Sequence, residues 1–222
     1  MADFESWILD FPSRVGDVYD KSRGIAAKDL DRRVTRLIMA LYPTVLIACE
    51  RLDLFAKVDK PTHKRHKSGD AVEFSDLREK FLSLKQTRLA EWLEVPETCD
   101  QIKWLSEQPA SDHVRPWESW EHKATCGGSC FVPEFVETVR HALAHGNLWT
   151  VPDDNQQIRG LLAGNFTVCS KPEEQKCSLV FMTLDRWEQV FCKWRQFLSH
   201  YKTEVTKDQR LRPAFGIDGE AA

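Results

Sequence analysis

The chain has 222 residues, 42% of them hydrophobic and 29% charged, with a formal net charge of -3 at pH 7. That is material for one ordinary globular domain or two small ones, and it excludes a dedicated duplex-DNA binder, whose affinity draws on a strongly basic surface. No apolar run approaches the roughly 20 residues of a membrane span and the opening MADFESWILDFPSR is acidic, unlike a signal peptide, so a cytoplasmic protein without membrane contact is expected.

Apolar residues recur at three- and four-residue steps from Phe4 to about Lys21, one stripe of an amphipathic helix, with Pro12 expected to kink or break it. A longer pattern runs from about Lys28 to Phe55 through Leu30, Val34, Leu37, Leu41, Val45, Cys49 and Leu52, and Pro43 should bend it or divide it. Residues 57–70 have no periodicity and form a loop carrying Lys57, Lys60, Lys64, Arg65 and Lys67. A third helix is predicted from a cap at Ser75-Asp76 to about Glu94, followed by an irregular, proline-interrupted stretch to Gly128 with one or two short helical pieces. Pro133 and Glu134 mark the start of a fourth helix, and Gly146 is the natural residue to end it.

Beyond Gly146 the period changes. Short stretches rich in β-branched or aromatic residues, punctuated by Pro152, Asp153, Asp154, Asn155, Gly160 and Gly164, read as a two- or three-stranded antiparallel appendage at about 148–184. A closing helix starts at Asp185 and reaches about Tyr201, and 206–222 reads as a disordered tail. Eight tryptophans and twelve phenylalanines against ten glycines favour packed helices over a turn-rich all-β fold. The expectation is a mainly α protein, a single domain over 1–205.

The chemistry concentrates in V-R-H-A-L-A-H-G-N-L, Val139 to Leu148, which sets Arg140, His141 and His145 on the last two turns of the fourth helix. A histidine there faces the unpaired carbonyls, which favour an imidazolium and suit a general acid. An arginine nearby offers a planar fork for phosphate oxygens. Arg140 and His145 stand roughly 140° apart around the helix and about 7–8 Å along it, so one helix does not close a compact site. Two copies across a twofold axis would bring an Arg and a His from each chain into one cleft, which points to a homodimer.

Arg, a polar residue, three residues and His at the end of an apolar helix resembles the signature of the HEPN superfamily (higher eukaryotes and prokaryotes nucleotide-binding domains). The string Arg140 to Asn147 and the opening Asp3 to Arg14 resemble a bacterial, often plasmid-borne subfamily of about this length. The resemblance implies an antiparallel helical bundle, here with the β-hairpin appendage before the C-terminal helix. It also implies a metal-independent endoribonuclease without cofactor, acting on RNA as a homodimer with the active site at the dimer interface, in toxin, phage-defence or RNA-processing systems. An antitoxin or other regulatory protein is an implied partner; a binding module without turnover is the alternative. In that chemistry the 2′-hydroxyl of RNA attacks the adjacent phosphate, leaving 2′,3′-cyclic phosphate and 5′-hydroxyl ends. His145 assists proton transfer, Arg140 holds the phosphate, and His141, a supporting residue at the position most often held by Asn, orients His145, takes part in catalysis or contacts RNA. Asn147 is a supporting site candidate; it stands where a nucleotidyltransferase-paired group carries Tyr, which argues against that group's mode of regulation.

Other readings stay open. Arg140 could simply pair with a carboxylate while His145 caps the helix, and His141 and His145 could be half of a metal site, although no third ligand is evident. Cys126 and Cys130 with His122, closed by Cys169 and Cys177, have a ligand-like look against the simpler reading of free thiols; seven scattered cysteines fit a reducing compartment. The basic loop could contact an RNA backbone or be a solvated loop. Trp149 could offer a base-stacking face, and Glu50 is a candidate partner for Arg140 or a motif histidine.

Overall fold

The computed structural model describes residues 7–23, 30–52, 54–55, 75–96, 101–109, 124–167 and 176–207. The basic loop with Lys57, Lys60, Lys64, Arg65 and Lys67, together with His122, Cys169 and most of the tail at 206–222, lies outside them. The chain divides into two compact units, Met1–Ala48 with Phe191–Ala222, and Cys49–Val190.

In the first unit α1 (Trp7–Arg23) packs on α2 (Leu30–Leu41). Pro12 is accommodated inside α1 without ending it. Pro43 acts differently: lacking an N–H, it cannot extend the ladder, and the chain widens into a π-helical turn, Tyr42–Ile47, before α-helix resumes at Ala48–Arg51. Two side chains serve the polar backbone at this turn. The Thr44 hydroxyl donates to the Ala40 carbonyl at 2.6 Å, and the Trp194 indole N–H donates to the Thr44 carbonyl at 2.9 Å. Leu37, Leu41, Val45, Phe191, Trp194 and Leu198 are buried there.

The second unit is built on a sheet. β1 (Ile102–Pro109), β2 (Thr125–Cys126), β3 (Leu148–Pro152), β4 (Ile158–Thr167) and β5 (Lys176–Thr183) form five antiparallel strands in the order β2-β1-β5-β4-β3. Around it are α3 (Ser75–Ser83), the short α4 (Leu89–Leu93), α5 (Val132–His145) and the first residues of α6 (Leu184–Lys207).

This corrects the expected helical bundle with a hairpin appendage. Counting the run 30–51 once, six helices accompany a five-stranded sheet among the described residues. Where two or three strands were expected at about 148–184, there are three. They are not an appendage, because β5 pairs on its other side with β1, in the stretch read as irregular. Pro109, which argued against regular structure, is the last residue of β1 and interrupts no ladder. Leu161, Leu162 and Ala163 in β4, and Val180, Phe181 and Met182 in β5, are each three consecutive residues yet all buried, so both sheet faces are covered, as apolar runs without alternation require. One face carries the cluster Leu105, Val151, Leu162, Leu179 and Phe181. On the other, α5 lies against β4, and the Trp187 indole donates to the Leu161 carbonyl at 3.1 Å.

The predicted helix from Ser75 to Glu94 is also divided. After a 3-10 turn at Leu84–Gln86 the chain extends at Thr87 and Arg88, and Arg88 bridges to Phe131. The Leu89 amide donates to Cys130 and the Val132 amide to Thr87, at 2.8 and 3.0 Å. Those bonds fix the start of α5. Among the described residues no helix is long and apolar enough to cross a membrane.

Candidate active site at the end of helix α5

Helix α5 follows the predicted pattern closely. Val132, Phe135, Val136, Val139, Ala142 and Leu143 are buried, leaving a complementary stripe of Arg140, His141, Ala144 and His145 at the surface. The helix ends as predicted at Gly146, whose φ of 70° is the left-handed conformation that suits glycine. The amides of Gly146 and Asn147 both close on the Ala142 carbonyl, and the Gly164 amide donates to the Asn147 carbonyl at 3.0 Å. The end of α5 is thus tied to β4. Asn147 enters the structure through its backbone, as the joint between α5 and β3.

Glu50, in the last turn of the 30–51 run, reaches Arg140 from 90 residues away. The Arg140 Nε–H donates to Glu50 Oε1 at 2.6 Å, and Nη2 donates to the same oxygen. The Arg140 Nη1 lies 3.2 Å from His141 Nε2; a guanidinium has no lone pair to offer, so the arginine donates and the imidazole accepts. His141 in turn stacks on His145, with ring centroids 5.8 Å apart and planes 15° from parallel. The structure therefore brings Glu50, Arg140, His141 and His145 into one continuous chain of contacts.

Of the five N–H groups of a guanidinium, Glu50 takes one on Nε and one on Nη2, and His141 takes one on Nη1. One N–H on each terminal nitrogen is left. The Arg140 side chain is 21% exposed and that of Glu50 45%, while His145 is exposed. The pairing with a carboxylate is the one a purely structural arginine would make; the remaining terminal N–H groups and the exposed histidine at the same end are what give the arrangement chemical reach.

The electrostatics separate the groups. Burial pushes the His141 pKa below the ordinary histidine value; the adjacent Arg140 and His145 act in the same sense and Glu50 opposes them. Cys49, beside Glu50, is buried and its thiol pKa is pushed far up by desolvation, so it is an inert neighbour.

The other sequence candidates fare differently. Cys130 is buried and donates its S–H to the Phe131 carbonyl at 3.3 Å, whereas Cys126 is exposed on β2. Among the described residues no group of three or more His, Cys, Asp or Glu is gathered as a metal cluster would need. Trp149 is half-buried, packed on the sheet's cluster and edge-on to Phe166 at 6.0 Å. An apolar pocket of about 380 Å³ in the first unit, lined among others by Val15, Val18, Met39 and Pro43, was not anticipated, and among the described residues no carboxylate, histidine or cysteine lines it. The candidate acid–base groups are those at the end of α5.

No family model, curated protein or solved structure matches the chain. The HEPN resemblance accordingly rests on the Arg140–Asn147 string and the opening Asp3–Arg14.

Proposed function

We propose that the protein is a metal-independent endoribonuclease of HEPN type, cutting RNA to 2′,3′-cyclic phosphate and 5′-hydroxyl ends. The observation that supports this best is Arg140, held by Glu50 through its Nε side with terminal N–H groups left over, next to an exposed His145 at the same helix end. Arg140 would take two phosphate oxygens and stabilise the charge that develops as the 2′-oxygen attacks. His145 would exchange the proton. The reaction needs one proton removed from the 2′-hydroxyl and one supplied to the departing 5′-oxygen. A homodimer with the site at its interface supplies a second His145 for the second transfer.

The test is cleavage of a labelled RNA by purified protein in EDTA. Wild type should cut, with 2′,3′-cyclic phosphate ends, while Arg140→Ala and His145→Ala should each lose on the order of 10²-fold or more, the scale of losing a general acid–base group or a charge-stabilising donor. RNA that is bound but never cut would favour the binding module. Cutting that chelator abolishes would favour a metal-dependent reading of the histidine pair.

A further inference from the structure

We infer that His141 is a neutral positioning residue, which as the Nδ1–H tautomer accepts a hydrogen bond from Arg140 at Nε2 and aims the remaining N–H groups of that guanidinium at the scissile phosphate. The inference rests on the ribonuclease reading above and assigns the one motif position whose role that reading leaves open.

The geometry limits what His141 can do. Its Nε2 lone pair is engaged by the Arg140 Nη1–H at 3.2 Å, and a neutral imidazole that accepts at one nitrogen carries its proton on the other. While that bond lasts, neither nitrogen is a free base for the 2′-hydroxyl. Protonation would remove the lone pair, break the bond and set a second cation against the guanidinium. Among the described residues the groups facing the ring are Arg140 and His145, which disfavour such a charge, and Glu50, which favours it; burial and the two basic neighbours prevail, so the charged form is disfavoured.

The gain is in Arg140. Glu50 alone grips the guanidinium along one side, through a single oxygen, leaving it free to swing about that contact. The Nη1 bond to His141 is a second anchor in a different direction, and two anchors fix the plane of a rigid fork. The flat face of the same imidazole lies parallel to His145 and limits where that side chain can turn. In the reaction the 2′-oxygen forms its bond to phosphorus as the bond to the 5′-oxygen breaks. With His141 occupied, both proton transfers fall to His145 and its copy in the second protomer.

The experiment compares full-length wild type, His141→Leu and His141→Asn on one RNA in EDTA between pH 5 and 8. Asparagine offers a carbonyl acceptor to Arg140 and cannot titrate; leucine fills space without an acceptor. His141→Leu should lose roughly 10- to 100-fold in kcat, the value of one hydrogen bond to a charged group. His141→Asn should recover most of that loss with the shape of the wild-type pH profile. If the asparagine variant is as impaired as the leucine variant and one limb of the profile disappears, His141 is itself a titrating catalyst and the inference fails. Imidazole ¹⁵N spectra supply a readout that needs no turnover: at pH 7 His141 should carry its proton on Nδ1, and an Nε2–H tautomer overturns the assignment. A wild-type protein that cuts no RNA would sink the ribonuclease reading, while the tautomer would still report whether His141 holds Arg140.

Discussion

Glu50 is the residue on which the two roles of Arg140 can be told apart. The pair it makes with Arg140 is partly open to water, 21% and 45% exposed by side chain, so its contribution to folding should be about 1 kcal/mol or less. Glu50→Ala is expected to lower the unfolding free energy measured in urea by no more than that while lowering RNA cleavage roughly 10-fold or more, since the fork loses its main anchor. A loss of several kcal/mol with little change in cleavage would make the pair a structural brace. His141 adds a pH signature: its pKa in the folded chain lies below the ordinary histidine value, so the unfolded chain binds the proton first as pH falls. Stability is fully present above the unfolded value and is lost as pH drops through the window between it and the lower folded one. Titrating stability in wild type and His141→Asn from pH 7.5 to 5 should show a shallower decline in the variant. Arg140, His141 and His145 were legible in the sequence because local helix chemistry sets all three on the last two turns of α5, with His141 and His145 one turn apart on the same face. Glu50 was legible as a candidate partner for Arg140 or a motif histidine, but the choice of Arg140, 90 residues away, is made by tertiary folding.

At the level of elements, α5 was readable end to end, from Pro133 near its start to Gly146 at its close, because helix chemistry is written within a few residues of itself. The sheet was only half readable. β3, β4 and β5 show β-rich composition, but β1 has just one short hydrophobic alternation near several prolines, and its membership is decided by pairing with β5, which starts only at Lys176. Two glycines test the architecture. Gly146 has φ 70° and open space around its missing Cβ, so Gly146→Ala meets only backbone strain, about 1–2 kcal/mol, or a melting temperature lower by roughly 2–8 °C. Gly160 faces the opposite problem: a Cβ there would run into the Met182 carbonyl oxygen and the Phe181 ring. Backbone cannot step aside as a side chain can, so Gly160→Ala should cost more than Gly146→Ala, about 3 kcal/mol or above, in the same thermal measurement.

For the molecule as a whole, the charge of -3 gives RNA no general attraction, so productive encounter depends on a local site. If that site is composite, activity is a property of the dimer. Specific activity should then fall on dilution below the dimer dissociation constant and return on concentration, and wild type equilibrated with an excess of His145→Ala protein should lose activity as mixed dimers with a single His145 form. Strictly constant specific activity across a thousandfold dilution, with a monomer in sedimentation, would remove the composite site.

The stitching at the end of α5 has a dynamic consequence. Helix ends ordinarily fray, and their amides exchange with solvent orders of magnitude faster than the middle. Here the Gly146 and Asn147 amides both return to Ala142, and Gly164 in β4 holds the Asn147 carbonyl. His145 therefore stands on a turn that opens only when part of the sheet lets go. Its backbone entropy is surrendered when the chain folds, before any RNA arrives, and amide exchange at residues 145–147 should be as slow as in the buried middle of the helix.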